Sequence, residues 1–236
     1  MRYTRQALKQ DRFKETAAEA VGWTVENRSK LITGGIILAI VVAIVASAYF
    51  YNVSRDTKAA DLLGHALMVY QAPLRPASMP ADPQQLSFTS IKERGVAAGI
   101  EFNKVAAEYG TTRSGKYAKY FAGLAALDAG NQKAAEDHLK YVAGTRDKDI
   151  ASLAKLALAA IDRDSNRKAD AINLYKELVA HPTQTVPKVT AQLQLADLYT
   201  ANNQPNEAKA IYQQIVKDNP QSSAAELATG KLQQAK

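Results

Sequence analysis

The chain has 236 residues, 47% of them hydrophobic and 22% charged, with a formal net charge of +7 and no cysteine. The missing thiols exclude a disulfide framework, a thiolate nucleophile, a cysteine-based metal site and a lipid-modified N-terminal cysteine. The first thirty residues account for +3 of the charge, and the remaining +4 is spread over a long stretch with both signs interspersed, which describes a solvated surface and not the basic, aromatic-laced stripe that nucleic-acid binding requires.

Residues 1–30 form a basic leader, with Arg2, Arg5, Lys9, Arg12, Lys14, Arg28 and Lys30 against Asp11, Glu15, Glu19 and Glu26. From Tyr3 to Val25 it holds helix formers and no proline, and Leu8, Phe13, Ala17 and Val21 fall near one face. Two readings fit: an amphipathic helix on an anionic inner leaflet, or a soluble helix or tail whose charges only set topology. The thin apolar face and Gly22 favour the second.

Residues 31–51, Leu31 to Tyr51, carry no charge. At a helical rise of ~1.5 Å per residue the run reaches about 30 Å, the hydrocarbon thickness of a bilayer. Arg28 and Lys30 sit at its leading edge, whereas Arg55 and Lys58 on the far side are accompanied by Asp56 and Asp61. The positive-inside rule then places the N-terminus in the cytoplasm and everything after Tyr51 outside, with Tyr49, Phe50 and Tyr51 as an aromatic belt. The rival reading is a cleaved signal peptide, with Ala46-Ser47-Ala48 as the cut site; the long leader and the apolar run continuing through that site favour an uncleaved anchor. Gly35, Ala39, Ala43 and Ser47 recur every four residues as a stripe of small side chains, the spacing at which two membrane helices approach closely.

Residues 52–236 repeat. In Val189 to Pro220 the landmarks are Leu195-Ala196, Tyr199, Ala208, Tyr212, Val216 and Pro220. Gly123, Ala159 and Ala196 stand at corresponding positions, as do Ala98, Ala135, Ala171 and Ala208, each followed four residues later by Phe102, Leu139, Tyr175 or Tyr212. A period of 36 to 37 predicts an all-α solenoid of about four helix pairs. The pairs are Thr57 to Gln71 with Ser90 to Tyr109, Lys116 to Ala129 with Gln132 to Val142, Ile150 to Asp164 with Arg167 to Ala180, and Pro187 to Ala201 with Pro205 to Lys217. Ser222 to Ala235 is left as a capping helix, which a solenoid needs over its last apolar face. Gly130-Asn131 and Asn202-Asn203 supply left-handed turn chemistry, and Gly95 and Gly99 permit close helix approach. Pro73, Pro76, Pro80 and Pro83 mark residues 73–88 as an inserted loop.

Chemistry for catalysis is missing from the pattern. His65, His138 and His181 lie in three different units without a second ligand at metal spacing, and no nucleophile elbow, phosphate-binding loop or zinc-protease motif occurs. The expectation is no catalytic residue, no cofactor, no metal and no small-molecule substrate. What remains is a surface. In stacked helix pairs the first helix of each pair lines the concave face, and Tyr117, Tyr120, Asp128, Arg163, Asp197 and Thr200 are expected to be exposed there as a protein-binding groove. For Tyr117 and Tyr120, ordinary inter-helix packing is an equal alternative.

The landmarks of Val189 to Pro220 resemble those of tetratricopeptide repeats, although the usual first-helix Trp is Gln192 here. The order of parts, a short cytoplasmic leader, one signal-anchor helix and an extracytoplasmic repeat domain, resembles the ancillary subunit family of the SecYEG translocon in Gram-negative bacteria. That resemblance implies a single-pass inner-membrane protein whose repeat domain lies in the periplasm, with translocon subunits, periplasmic chaperones or emerging client chains as partners. A periplasmic scaffold for cell-wall synthesis, cell division or outer-membrane assembly is the alternative.

Overall fold

The computed structural model describes residues 27–218 and 220–234; the leader reading on Tyr3 to Val25, and Ala235 at the end of the expected cap, lie outside them. Contacts divide the chain into two compact units, Met1–Ser54 and Arg55–Lys236. Nine helices are described: α1 (Arg28–Tyr70), α2 (Ile91–Tyr109), α3 (Arg113–Asp128), α4 (Gln132–Ala143), α5 (Lys148–Asp164), α6 (Lys168–Ala180), α7 (Lys188–Ala201), α8 (Pro205–Asp218) and α9 (Ser223–Gln234). No strand occurs among the described residues beyond an isolated bridge between Leu74 and Phe88. The fold is all-α, as the periodicity predicts.

The apolar run and the first expected repeat helix are continuous. Asn52 to Asp56 contains neither Gly nor Pro to interrupt the backbone ladder, so α1 runs unbroken for 43 residues. Its most apolar 18-residue window has a mean hydropathy of 2.6, long and apolar enough to cross a membrane. Gly35, Ala39, Ala43 and Ser47 are all exposed.

In the second unit the landmarks of the repeat are buried, except Val216, which is half-buried, and Pro220, which is exposed. Ala98, Ala135, Ala171 and Ala208 sit at the helix contacts, and Phe102, Leu139, Tyr175 and Tyr212 fill the space beside them. The apolar clusters link successive helices: Ala66 and Val69 of α1 meet Phe102 of α2 and Ala122 of α3. Leu139 of α4 meets Ile150, Leu158 and Ile161 of α5, and Tyr175, Leu195, Tyr212 and Ala228 join α6 through α9. An aromatic group joins α1, α2 and α3 within the second unit, with Phe102 and Phe121 stacked at 5.5 Å and Tyr70 edge-on to Phe102 at 5.8 Å.

Local signals set the helix ends. Thr112 accepts a hydrogen bond from the Gly115 amide and starts α3 three residues ahead of the expected Lys116. Asp147 caps α5 in the same way, through the Asp149 and Ile150 amides. At α2, Ser90 accepts from the Glu93 amide, while the Glu93 carboxylate reaches back to the amide and hydroxyl of Thr89 at 2.8 and 2.6 Å, a capping box displaced by one residue. These bonds to Thr89 hold the Glu93 carboxyl below its usual range. Gly130 and Asn203 take positive φ in the turns where the sequence expects it, and Asn166 does the same in the third turn. The loop after Ala72 is closed at its base by the Arg75 amide on the Phe88 carbonyl (2.8 Å) and the Phe88 amide on the Pro73 carbonyl (3.1 Å), with Phe88 buried beneath it.

Close helix approach is enforced at two glycines. A Cβ on Gly95 would lie 2.8 Å from the Ala125 carbonyl oxygen and the Ala129 amide nitrogen, and one on Gly123 would lie 2.9 Å from Leu139 Cγ. At Gly99 the nearest atom is 3.8 Å away, an ordinary contact. Replacing Gly by Ala in a helix interior gains up to ~1 kcal/mol of propensity, whereas overpacking costs about 1–3 kcal/mol. Gly95→Ala is therefore expected to destabilise the second unit by roughly 1–2 kcal/mol, while Gly99→Ala is neutral or stabilising. Denaturant midpoints of the full chain in detergent check the contrast; equal effects at the two positions would refute the close-approach account.

Arg167, just ahead of α6, ties two helices of the preceding part of the array, donating to Glu136 of α4 at 2.6 Å and to Asp162 of α5 at 2.7 Å. Gln132, Lys140 and Arg167 all donate to the Glu136 carboxylate, and these bonds, Gln132 foremost, hold its pKa down to about 2. Because the folded value is depressed, the unfolded chain takes up the proton first. The stabilisation is therefore complete above about pH 5 and is lost as pH falls toward 2. Glu136→Gln should remove on the order of 1 kcal/mol at neutral pH, allowing for solvent screening, and flatten the acid limb of the stability profile over that window. An unchanged slope between pH 5 and 3 would show that other carboxylates control acid unfolding.

Candidate protein-binding groove

The first helices of successive pairs, α3 and α5, touch each other, because the second helices pack behind them. Where they meet, a hollow of about 370 Å³ opens, floored by Leu124 and Leu127 of α3 and by Ala157, Ala160 and Ile161 of α5, with Asp164 at its end. Small side chains on α5 make the space and leucines on α3 make it apolar. A hollow of this kind accepts an apolar side chain of a partner segment.

Five of the six expected groove residues are half-buried instead of exposed; Thr200 alone is exposed. The reason is internal bonding. Tyr117 and Tyr120 lie against the cluster built from α4 and α5, and Tyr120 packs edge-on to Phe121 at 5.2 Å. Burial also pushes the Tyr120 hydroxyl up in pKa. The packing reading therefore accounts for the bodies of both rings. Asp128 accepts a hydrogen bond from the Tyr70 hydroxyl, and burial together with that carboxylate pushes Tyr70 up to about 12.

Arg163 and Asp197 are brought together across α5 and α7. Arg163 donates to Asp164 at 2.8 Å and to Gln194 at 3.3 Å, and its bond to Asp164, with the charge of Asp197 nearby, raises its pKa further. Asp197 in turn accepts from the Tyr212 hydroxyl at 2.8 Å and pairs with Lys231 of α9 at 3.3 Å. Burial, with that bond second, moves Tyr212 up to about 12. Thr200 returns its hydroxyl to the Ala196 carbonyl at 3.0 Å. All the predicted polar residues but Thr200 thus form a thread of bonds between neighbouring helices of the array.

The residues that line the hollow were not singled out by the repeat landmarks. A signal was present: α3 is apolar at Phe121, Ala122, Leu124, Ala125, Ala126 and Leu127, nearly all round its circumference. One apolar stripe suffices for a helix that packs on one side, so a helix apolar all round has a second face to cover. Among the described residues no group of three His, Asp or Glu side chains could hold a metal ion. His65 and His181 are exposed, and His138 is half-buried, with burial and the nearby Lys119 lowering its pKa.

The family model of the tetratricopeptide repeat-like domain matches residues 23–236. No curated protein and no solved structure matches the chain. Paired helices with small residues at their crossings, left-handed turns one repeat apart and a capping helix agree with that match, and the chain belongs to the tetratricopeptide repeat-like domain family, whose helical arrays are protein-interaction modules.

Proposed function

We propose that this chain is a non-enzymatic adaptor anchored in the bacterial inner membrane by residues 31–51, with residues 1–30 in the cytoplasm and residues 52–236 in the periplasm. It serves there as an ancillary component of the Sec translocon that holds emerging chains for periplasmic chaperones. The observation that carries the adaptor reading is the apolar hollow between α3 and α5 in a tetratricopeptide repeat-like array. Arg28 and Lys30 beside an uncharged run support the anchor and its orientation. The translocon assignment rests on the order of parts, leader, anchor and repeat domain.

The mechanism is one of confinement. An anchor restricts the groove to two dimensions beside the exit of the translocon, which raises the effective concentration of a weak site. Weak contacts release quickly, as a chain in transit requires. The contacts with lipid and with protein account for the apolar surfaces described above; neither a cofactor nor a small-molecule substrate enters the scheme.

Purification of the full chain from membranes in mild detergent is expected to recover translocon subunits and a periplasmic chaperone with it; recovery of the chain without them would sink the translocon reading. Ala160→Trp fills the hollow from a half-buried position and is expected to cut cross-linking to translocating clients several-fold while translocon recovery stays unchanged. Undiminished client cross-linking would mean that clients bind elsewhere.

A further inference from the structure

A solenoid buries each unit against the next, so its two ends need separate treatment. At the C-terminal end α9 covers the last pair, with Ala225 and Ala228 buried and Lys231 paired to Asp197. The other end is different. On α2 the core stripe is Gly95, Ala98, Phe102, Val105 and Tyr109. The opposite stripe is Glu93, Val96, Ile100, Asn103 and Ala107, at alternating steps of three and four, the spacing of a helix-pairing seam. Val96 is 49% exposed and Ile100 54%. Beside them an open hollow of about 500 Å³ runs over Phe88, Lys92, Val96, Ala97 and Ile100.

We propose that this face of α2 pairs antiparallel with the same face of a second copy of the chain. The charges select that occupant and that orientation. Setting Val96 across from Ile100 of the second copy brings Glu93 next to Lys104 of the second copy. Both residues lie on the same flank of the seam, and two-fold symmetry makes the ion pair twice. A parallel arrangement would leave Glu93 and Lys104 of the two copies about 16 Å apart along the helix axis and make neither ion pair. Lys104 bonds within the helix to Glu101 at 2.7 Å, an exposed pair that is easily exchanged. With Lys92 and Lys104 balanced by Glu93 and Glu101, the face has no net charge to draw it onto anionic lipid. One seam between two helices buries less than the ~1,200 Å² of a stable interface, so the pair forms weakly and is captured best by covalent trapping. None of this depends on what the groove between α3 and α5 binds.

The chain has no cysteine, so single substitutions report without ambiguity. Full-length Val96→Cys and Ile100→Cys chains are purified in mild detergent and oxidised separately and as a mixture. In the proposed register the two Cβ atoms come within the ~4 Å that a disulfide needs, so the mixture is expected to give several-fold more covalent dimer than either variant alone. Adding Lys104→Glu to both chains should reduce that yield several-fold, and its exposed position leaves the denaturant midpoint unchanged. Equal yields from mixed and separate samples, no dimer in any, or cysteines trapped only on other proteins when oxidised in membranes would each overturn the proposal.

Discussion

Close approach of helices at small residues is the constraint from which the rest of the second unit follows. Gly95 brings α2 against the α3 backbone near Ala125 and Ala129, and Gly123 admits Leu139 of α4. Ala159 and Ala196 are fully buried at the corresponding contacts further along. At each of these points a methyl group or less separates two backbones, so the large side chains must be placed to either side. Phe102, Leu139, Tyr175 and Tyr212 fill those spaces, and no single helix pair could cover them alone. The clusters accordingly run between pairs, and the array holds because each pair is the lid of its neighbour. The turns obey the same period. Gly130, Asn166 and Asn203 are all left-handed, so the second helix of each of these pairs folds back onto the first in the same way and the first helices are left in a row.

Much of that architecture is legible in the sequence because its determinants are local or periodic. The alanines one repeat apart, the aromatic four residues after each, and the Gly-Asn and Asn-Asn turns are composition at fixed spacing, and spacing survives without knowledge of the fold. Asn166 was less readable than Asn203, because Ser165 before it lacks the double signal of Asn202-Asn203. The start of α3 is a different kind of miss. Periodic apolar residues begin after Lys116, yet Thr112 caps the helix earlier, and Gly115 fits there because it lacks the Cβ that would collide with the Tyr109 carbonyl oxygen. The groove was less legible still. Polar residues on the first helices were expected to be free, but whether Asp197 faces solvent depends on Tyr212 and Lys231, which lie 15 and 34 residues further along the chain. Sequence spacing carries no information about such partners.

The internal satisfaction of the polar thread has a consequence for recognition. A buried or half-buried carboxylate that already accepts a tyrosine hydroxyl gains little from a partner's donor, because the incoming bond replaces one already made. Asp128 and Asp197 are in that position, and Arg163 already donates to Asp164 and Gln194. A partner that competed for them would also have to break contacts between units, at a cost in stability of the array. What is left for a partner is apolar contact at Leu124, Leu127, Ala157 and Ala160, which discriminates weakly between side chains of similar size. Hydrophobic contact alone separates one methylene from the next by only about 1–3 kcal/mol. Apolar contact of this kind tolerates many sequences and releases quickly, since the charge-assisted bonds that slow dissociation are already committed within the protein.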